Sequence, residues 1–448
     1  MVVLDNLVVT TALPSIRKDL GGGLEGLEWT VNAYTLTFAV LLMTGAALGD
    51  RFGRKRMFVI GLSLFTVASA LAALAPSTGA LVAARALQGA GGAIVTPLTL
   101  TILSTAFPEG KRGLAIGMWS GISGLAVALG PLVGGAVVDG ISWHWIFWIN
   151  VPIGLAIIPL AATRLGESHG PADKLDIPGL TLAGLGLLGL VFGIVRGAEH
   201  GWTSTQVLGS MLAGAAFLAA FVAWELRTRY PMLPMRFFRS RAFSAANGVS
   251  FAMYFGVFGS IFLLAQYFQV VQHYSPLEAG LRTLPWTGMP MIVAPIAGLL
   301  SDRIGSRPLM FAGLALQSVA IFWLASVSEP TTPYADFVLP FILAGTGMAL
   351  VFAPTANAVL SAVRPQEAGQ ASGATNAIRE IGGTLGVAVL ASVFAAHGSY
   401  VSPQAFTDGM TAAAYVGGAV LALGAVVALL VPAKQCETSG QPALVAAS

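Results

Sequence analysis

Apolar stretches of about twenty residues recur along the whole of the 448-residue chain, separated by short polar segments. A stretch of that length is what an α-helix needs to cross a bilayer. The pattern predicts fourteen spans, over 1–16, 27–48, 57–75, 80–105, 113–137, 146–163, 177–195, 205–224, 242–268, 279–300, 308–327, 336–361, 371–396 and 412–432. The predicted class is an all-α integral membrane protein. A helix from Met1 to Ile16 reaches about 24 Å at the usual rise, short of a hydrocarbon core of roughly 30 Å. Either about ten to fifteen further residues precede it, the reading preferred from the length a span requires, or it begins inside the membrane with its amino end in a wet cavity.

Composition agrees with the pattern. Hydrophobic residues make up 56% of the chain and charged residues 10%, too few charges to solvate a water-soluble protein of this size. The 54 Gly and 24 Pro fall inside apolar runs, where spanning helices tolerate them and use Gly for close packing. No cleavable leader is visible: the first apolar run carries Asp5 and ends at Pro14-Ser15-Ile16-Arg17. The one cysteine, Cys436, excludes an intrachain disulfide and a thiolate metal cluster.

The placement of charge says more than the net +3. Seventeen of the 23 Lys and Arg fall in one set of loops, and only Arg17, Lys18 and Arg196 in the opposite set. By the positive-inside rule both termini are cytoplasmic, so the basic balance is an orientation signal and no nucleic-acid partner is expected.

Two loops of the basic set repeat one another. Ala46-Ala47-Leu48-Gly49-Asp50-Arg51-Phe52-Gly53-Arg54-Lys55 and Gly298-Leu299-Leu300-Ser301-Asp302-Arg303-Ile304-Gly305-Ser306-Arg307 share an Asp-Arg-x-Gly core at a helix end. Gly allows the tight turn, and the basic residues can pair with the Asp or with helix C-termini. Such a pair of charged latches suits two parallel repeats related by an axis along the membrane normal.

This repeated loop resembles the signature of the major facilitator superfamily. Leu81 to Ala93 in the fourth span, with Arg85, Gln88 and Gly89-Ala90-Gly91-Gly92, is similar to that superfamily's basic motif. Gly130-Pro131-Leu132-Val133-Gly134-Gly135 resembles the antiporter signature of drug exporters. Leu4-Asp5 through Ala12-Leu13-Pro14, and Trp145-Ile146-Phe147 with Asn150-Val151-Pro152-Ile153-Gly154, resemble the fourteen-helix drug:proton antiporter branch, the EmrB/QacA-like multidrug exporters. That branch usually has Thr and Asn where this chain has Leu7 and Thr10. The resemblance implies two six-helix bundles with two extra helices between them: bundle 1–163, connector 164–226, cytoplasmic linker 227–241, bundle 242–432 and tail 433–448. Asp50 and Asp302 lie 252 residues apart, too far for six spans alone, and 177–195 and 205–224 account for the surplus.

The charges left inside spans are the candidate machinery. Asp5 is costly in mid-membrane and reads as a proton site, unless it lies at the interface and is merely solvated. Arg85, with Gln88 on the same face, needs a partner: Asp5, a substrate anion or the carbonyls of a neighbouring helix. The resemblance links Arg85 to proton coupling. Glu380 is a second protonatable candidate, or else half of an ion pair at the cytoplasmic end; Arg379 beside it points about 100° away, given 3.6 residues per turn. Arg282, near an outer helix end, reads as structural.

The conformational candidates are Asp50, Arg51, Gly53, Arg54, Asp302, Arg303, Gly305, Arg307, Gly130 and Pro131. The substrate cavity is expected to draw on Asn32, Tyr34, Gln88, Asn247, Tyr254, Gln266, Tyr267, Trp286, Asn357, Asn376 and Arg379, whose aromatics suit apolar or cationic drugs. No metal, nucleotide-binding or nucleophile motif appears, so no cofactor and no enzyme activity are expected. The partners expected are a drug-like small molecule, protons and the lipid bilayer, and the chain is expected to act as a monomer in a bacterial cytoplasmic membrane. An exporter dedicated to one metabolite or antibiotic is the alternative; a non-transporting membrane sensor, which would need a sizeable cytoplasmic output domain, is the less expected reading.

Overall fold

The computed structural model describes residues 1–21, 24–171 and 174–433. The N-terminal bundle comprises α1 (Val2–Leu20), α2 (Leu24–Phe52), α3 (Arg54–Ala73), α4 (Thr78–Ala106), α5 (Glu109–Gly140), α6 (Trp145–Trp148) and α7 (Asn150–Arg164). A hairpin of α8 (Ile177–His200) and α9 (Thr205–Glu225) follows. The C-terminal bundle comprises α10 (Arg241–Val270), α11 (Pro276–Thr287), α12 (Met289–Ile304), α13 (Ser306–Val327), α14 (Ala335–Ser361), α15 (Ala368–His397) and α16 (Pro403–Ala428). Among the described residues, twelve spans are long and apolar enough to cross a membrane; α1 and α5 pack beside each other within the N-terminal bundle.

The polar segments between apolar runs start the helices. Ser77, Ser402 and Asp176 accept hydrogen bonds from the backbone N–H groups of Ala80 (3.3 Å), Ala405 (3.1 Å) and Gly179 (2.9 Å), satisfying donors that have no partner inside the helix. Ser275 and Glu278 form a capping box at α11. The first span continues past the predicted Ile16 to Leu20, with Arg17 and Lys18 in its last turn, where cations meet the partial negative charge of the helix end.

Two predicted spans are broken. The sixth divides at Ile149 into α6 and α7, and the tenth at Gly288 into α11 and α12. In the second break, Pro290 has no N–H to close the turn with Trp286.

The bundles meet along two seams, α5 against α11 and α12, and α15 against α2 and α4. The first is built on glycine. A methyl at Gly117 would lie 2.5 Å from the Ala294 carbonyl oxygen, and one at Gly121 3.1 Å from that of Pro290. Only the missing side chains let the backbones approach so closely. The second seam places Gly373 of α15 against Ala46 of α2, and the Ser372 hydroxyl donates to the Pro97 carbonyl of α4 at 3.0 Å. The hairpin lies over this seam: α8 packs on both α2 and α15, and Trp202 donates to Ser392 at 2.7 Å.

Candidate functional site

A polar network fills the interior of the N-terminal bundle. Asp5 is 2% exposed and Arg85 and Gln88 are fully buried, so the solvated-interface reading of Asp5 does not hold. Arg85 Nη1 donates to Asp5 Oδ2 and to Gln88 Oε1, the latter at 2.7 Å. Gln88 Nε2 donates to Asp5 Oδ1 and to Ser69 Oγ, both at 2.8 Å, and Asn150 Nδ2 donates to Asp5 Oδ1 at 2.7 Å. Arg85 Nε reaches the Thr30 carbonyl at 3.1 Å, and its guanidinium carbon stands 4.2 Å from the centre of the Tyr34 ring. Five helices, α1, α2, α3, α4 and α7, thus contribute to the network around one buried ion pair, which the membrane interior tolerates only with partners of this quality. The break before α7 places Asn150 at that helix's first turn, facing Asp5. Asn150 and Ser69 were absent from the sequence candidates; Asn150 could have been found from the Asn-Val-Pro motif, whereas Ser69 carries no signal distinguishing it from other small residues.

The C-terminal bundle carries a different arrangement. Arg379 is 2% exposed, yet its Nε makes one 3.4 Å bond to Ser250 Oγ and, among the described residues, its Nη2 has no hydrogen-bond partner. Its guanidinium carbon is 5.6 Å from the centre of the Tyr254 ring, which stacks on Phe258 with centroids 5.1 Å apart. Glu380 is half-buried, and among the described residues no hydrogen bond or ion pair reaches it, so the cytoplasmic-end ion pair is not formed. It lies within electrostatic range of Tyr254 and, across the bundle boundary, of Tyr34.

The repeated loops form two reciprocal latches at the basic end. Gly53 and Gly305 both take positive φ, 104° and 86°, which explains the glycine in each copy. Arg54 Nε donates to Asp50 Oδ1 at 2.8 Å, and Arg54 Nη2 donates to the Gln366 carbonyl of the other bundle at 2.8 Å. The Asp50 carboxylate lies against Gly369 in the first turn of α15. In the second copy Asp302 accepts from Gly113 N of α5 at 3.1 Å and from Asn357 Nδ2 at 3.0 Å. Each half therefore aims a carboxylate at the positive end of a helix in the other half. Arg51 and Arg303 are exposed, and Arg307 is half-buried.

The remaining candidates are dispersed. Asn357 belongs to the latch through Asp302. Tyr267 donates to the Glu329 carbonyl at 2.5 Å, and Gln266 accepts from Tyr400 at 2.6 Å, both at the opposite end. Asn247 and Asn376 bond back to their own helices, at Phe243 O and Ser372 O, each at 2.9 Å. Trp286 packs inside the C-terminal bundle near Phe341, and Asn32 is half-buried on α2. Arg282 covers the Tyr274 ring at 3.6 Å. Gly130 is buried in α5, which runs unbroken to Gly140; the side chains of Leu7, Thr10 and Pro131, and residues 434–448 with Cys436, lie outside the described residues.

Two parallel bundles, a buried ion pair in one of them and paired latches at one end define a membrane transporter of the alternating-access type. The Major Facilitator Superfamily model matches residues 1–387 and 248–444, and the chain belongs to that superfamily. It is 37% identical over 398 residues to the multidrug resistance protein Stp of Mycobacterium tuberculosis, covering 88% of this chain and 74% of that one. It is 35% identical to the tetracenomycin C resistance and export protein of Streptomyces glaucescens, covering 91% and 76%. In fold it is similar to the proton:xylose symporter XylE, with TM-score 0.68 at 15% identity over 96% of this chain and 93% of that one.

Proposed function

We propose that the protein is a proton-coupled exporter of drug-like or antibiotic-like small molecules, acting as a monomer in the cytoplasmic membrane with its basic end and both termini toward the cytoplasm. The observation that carries the coupling is the Asp5 carboxylate, buried and faced by three N–H donors from Arg85, Gln88 and Asn150. A proton arriving at Asp5 removes the charge that compensates Arg85, and the cost of an unpaired guanidinium then biases the bundle toward its other conformation. The membrane potential adds about 2.3 kcal/mol per charge per 100 mV. The relatives named for drug resistance and antibiotic export support the cargo, and the asymmetry of basic residues supports the orientation.

Asp5→Asn keeps the shape of the side chain and removes its proton chemistry. In reconstituted vesicles the variant is expected to lose efflux driven by a proton gradient while still binding dye; full gradient-driven efflux overturns the reading. The tetracenomycin C relative favours a second reading, export of a single antibiotic. A panel of ethidium and quaternary amines separates the two, because a dedicated exporter ignores them.

A further inference from the structure

The two spanning guanidiniums nearest the bundle boundary are not equivalent. Arg85 holds a carboxylate, Asp5, whereas Arg379 holds only a hydroxyl at 3.4 Å and the face of a ring; among the described residues Nη2 of each lacks a hydrogen-bond partner. At that length the Ser250 contact is weak. Glu380, the adjacent residue, does not supply the missing charge, because consecutive helical side chains diverge by about 100°. Arg379 meets α10 of its own bundle, through Ser250 and Tyr254, while Glu380 lies within electrostatic range of Tyr34 of the other bundle. Two helical turns before them on α15, Ser372 and Gly373 touch α4 and α2. The interior of α15 therefore carries a guanidinium and a carboxylate, neither with a charged partner among the described residues, beside the ring of Tyr254.

We propose that this is the substrate-recognition site and that it selects aromatic zwitterions, with Arg379 binding an anionic oxygen group of the substrate and Glu380 its cationic group. The proposal rests on the transport reading above and names its substrate class. A guanidinium offers forked N–H donors matched to a carboxylate; Glu380 accepts a cation; the stacked Tyr254 and Phe258 take a flat ring system. A purely cationic dye leaves Arg379 unpaired, and an apolar one leaves both charges so.

The test compares rhodamine B, which carries a free carboxylate beside its cationic ring system, with its ethyl ester, which has the ring system alone. Binding of each to the purified full chain is followed by fluorescence anisotropy. The wild type is expected to favour the acid by about tenfold or more, the worth of a hydrogen bond to a charged group. Arg379→Gln is expected to bind the ester as the wild type does and to bind the acid no better. Equal binding of the two dyes by the wild type, or a preference that survives in Arg379→Gln, overturns the proposal. Where Arg379→Gln binds neither dye, Arg379→Lys decides: it retains a cation, so a retained preference for the acid supports the assignment and its loss overturns it. The measurement is made at equilibrium without a gradient. Failure of the Asp5→Asn test leaves it untouched, and equal dye binding by a protein whose efflux needs Asp5 overturns only the present proposal.

Discussion

Asp5 shares its Oδ1 between Gln88 and Asn150, at 2.8 and 2.7 Å, so each amide contributes one bond to a buried charge. Such bonds are each worth about 1.5–3 kcal/mol. Asn150→Ala is therefore expected to lower the thermal stability of the purified protein and to slow gradient-driven efflux by tenfold or more. Gly79→Ala, in open space in the first turn of α4, is expected to change neither; an Asn150→Ala protein indistinguishable from wild type in both assays removes Asn150 from the network. Asp5 and Arg85 were legible because a charge inside an apolar span has no inexpensive explanation, and Gln88 because it follows Arg85 by three residues. The Thr30 carbonyl and Ser69 were not legible. A backbone acceptor and a serine look the same in sequence whether they serve a network or their own helix, and only the packing of α2 and α3 against α4 decides. Asn357 shows the converse: a polar residue in a span reads as cavity lining until the fold places it 3.0 Å from Asp302.

The glycines of α5 show what spacing can and cannot tell at the level of an element. Gly113, Gly117, Gly121 and Gly124 are spaced by three or four residues and make a smooth face, but the face has no identity without its partner. That partner is α12 of the other bundle, which contributes its own Gly298 opposite Gly113 and Gly117. Gly117 sits where a methyl would meet both the Ala294 carbonyl oxygen at 2.5 Å and Pro295 Cα at 2.8 Å. Neither atom can move aside without shifting α12. Gly117→Ala is thus expected to cost the packed seam about 1–3 kcal/mol, although alanine favours the isolated helix over glycine by about 0.5–1 kcal/mol. Gly79 of α4 has open space around it, so Gly79→Ala serves as a control that leaves transport unchanged. The comparison is made by substrate efflux and by the thermal midpoint of each variant. Equal behaviour of the two substitutions shows that the α5 seam is not a close contact.

For the molecule as a whole, the repeat was legible as two similar loops, and the structure adds that each loop closes on the opposite half. Asp50 lies against the first turn of α15 while Arg54 reaches the Gln366 carbonyl, and Asp302 accepts from Gly113 near the start of α5. The two latches bias one equilibrium, the closing of the basic end, so their contributions to it add even though the residues do not touch. A carboxylate at a helix N-terminus contributes about 0.3–1 kcal/mol, rising to ~2 kcal/mol in partly buried geometry. Asp50→Asn and Asp302→Asn keep the shape and remove the charge. Each is expected to raise the open population several-fold, and the pair to multiply those factors. The position to watch is Ser372, fully buried in the closed seam one turn from Gly369, which the Asp50 latch covers. In a background with Cys436 replaced by serine, Ser372→Cys should react slowly with a membrane-impermeant maleimide applied to the basic end. Its rate should rise in the order no latch change, either single Asn, both. A rate that does not move in the double variant means that the seam, with its glycines and the overlying α8, holds the basic end shut without help from either carboxylate.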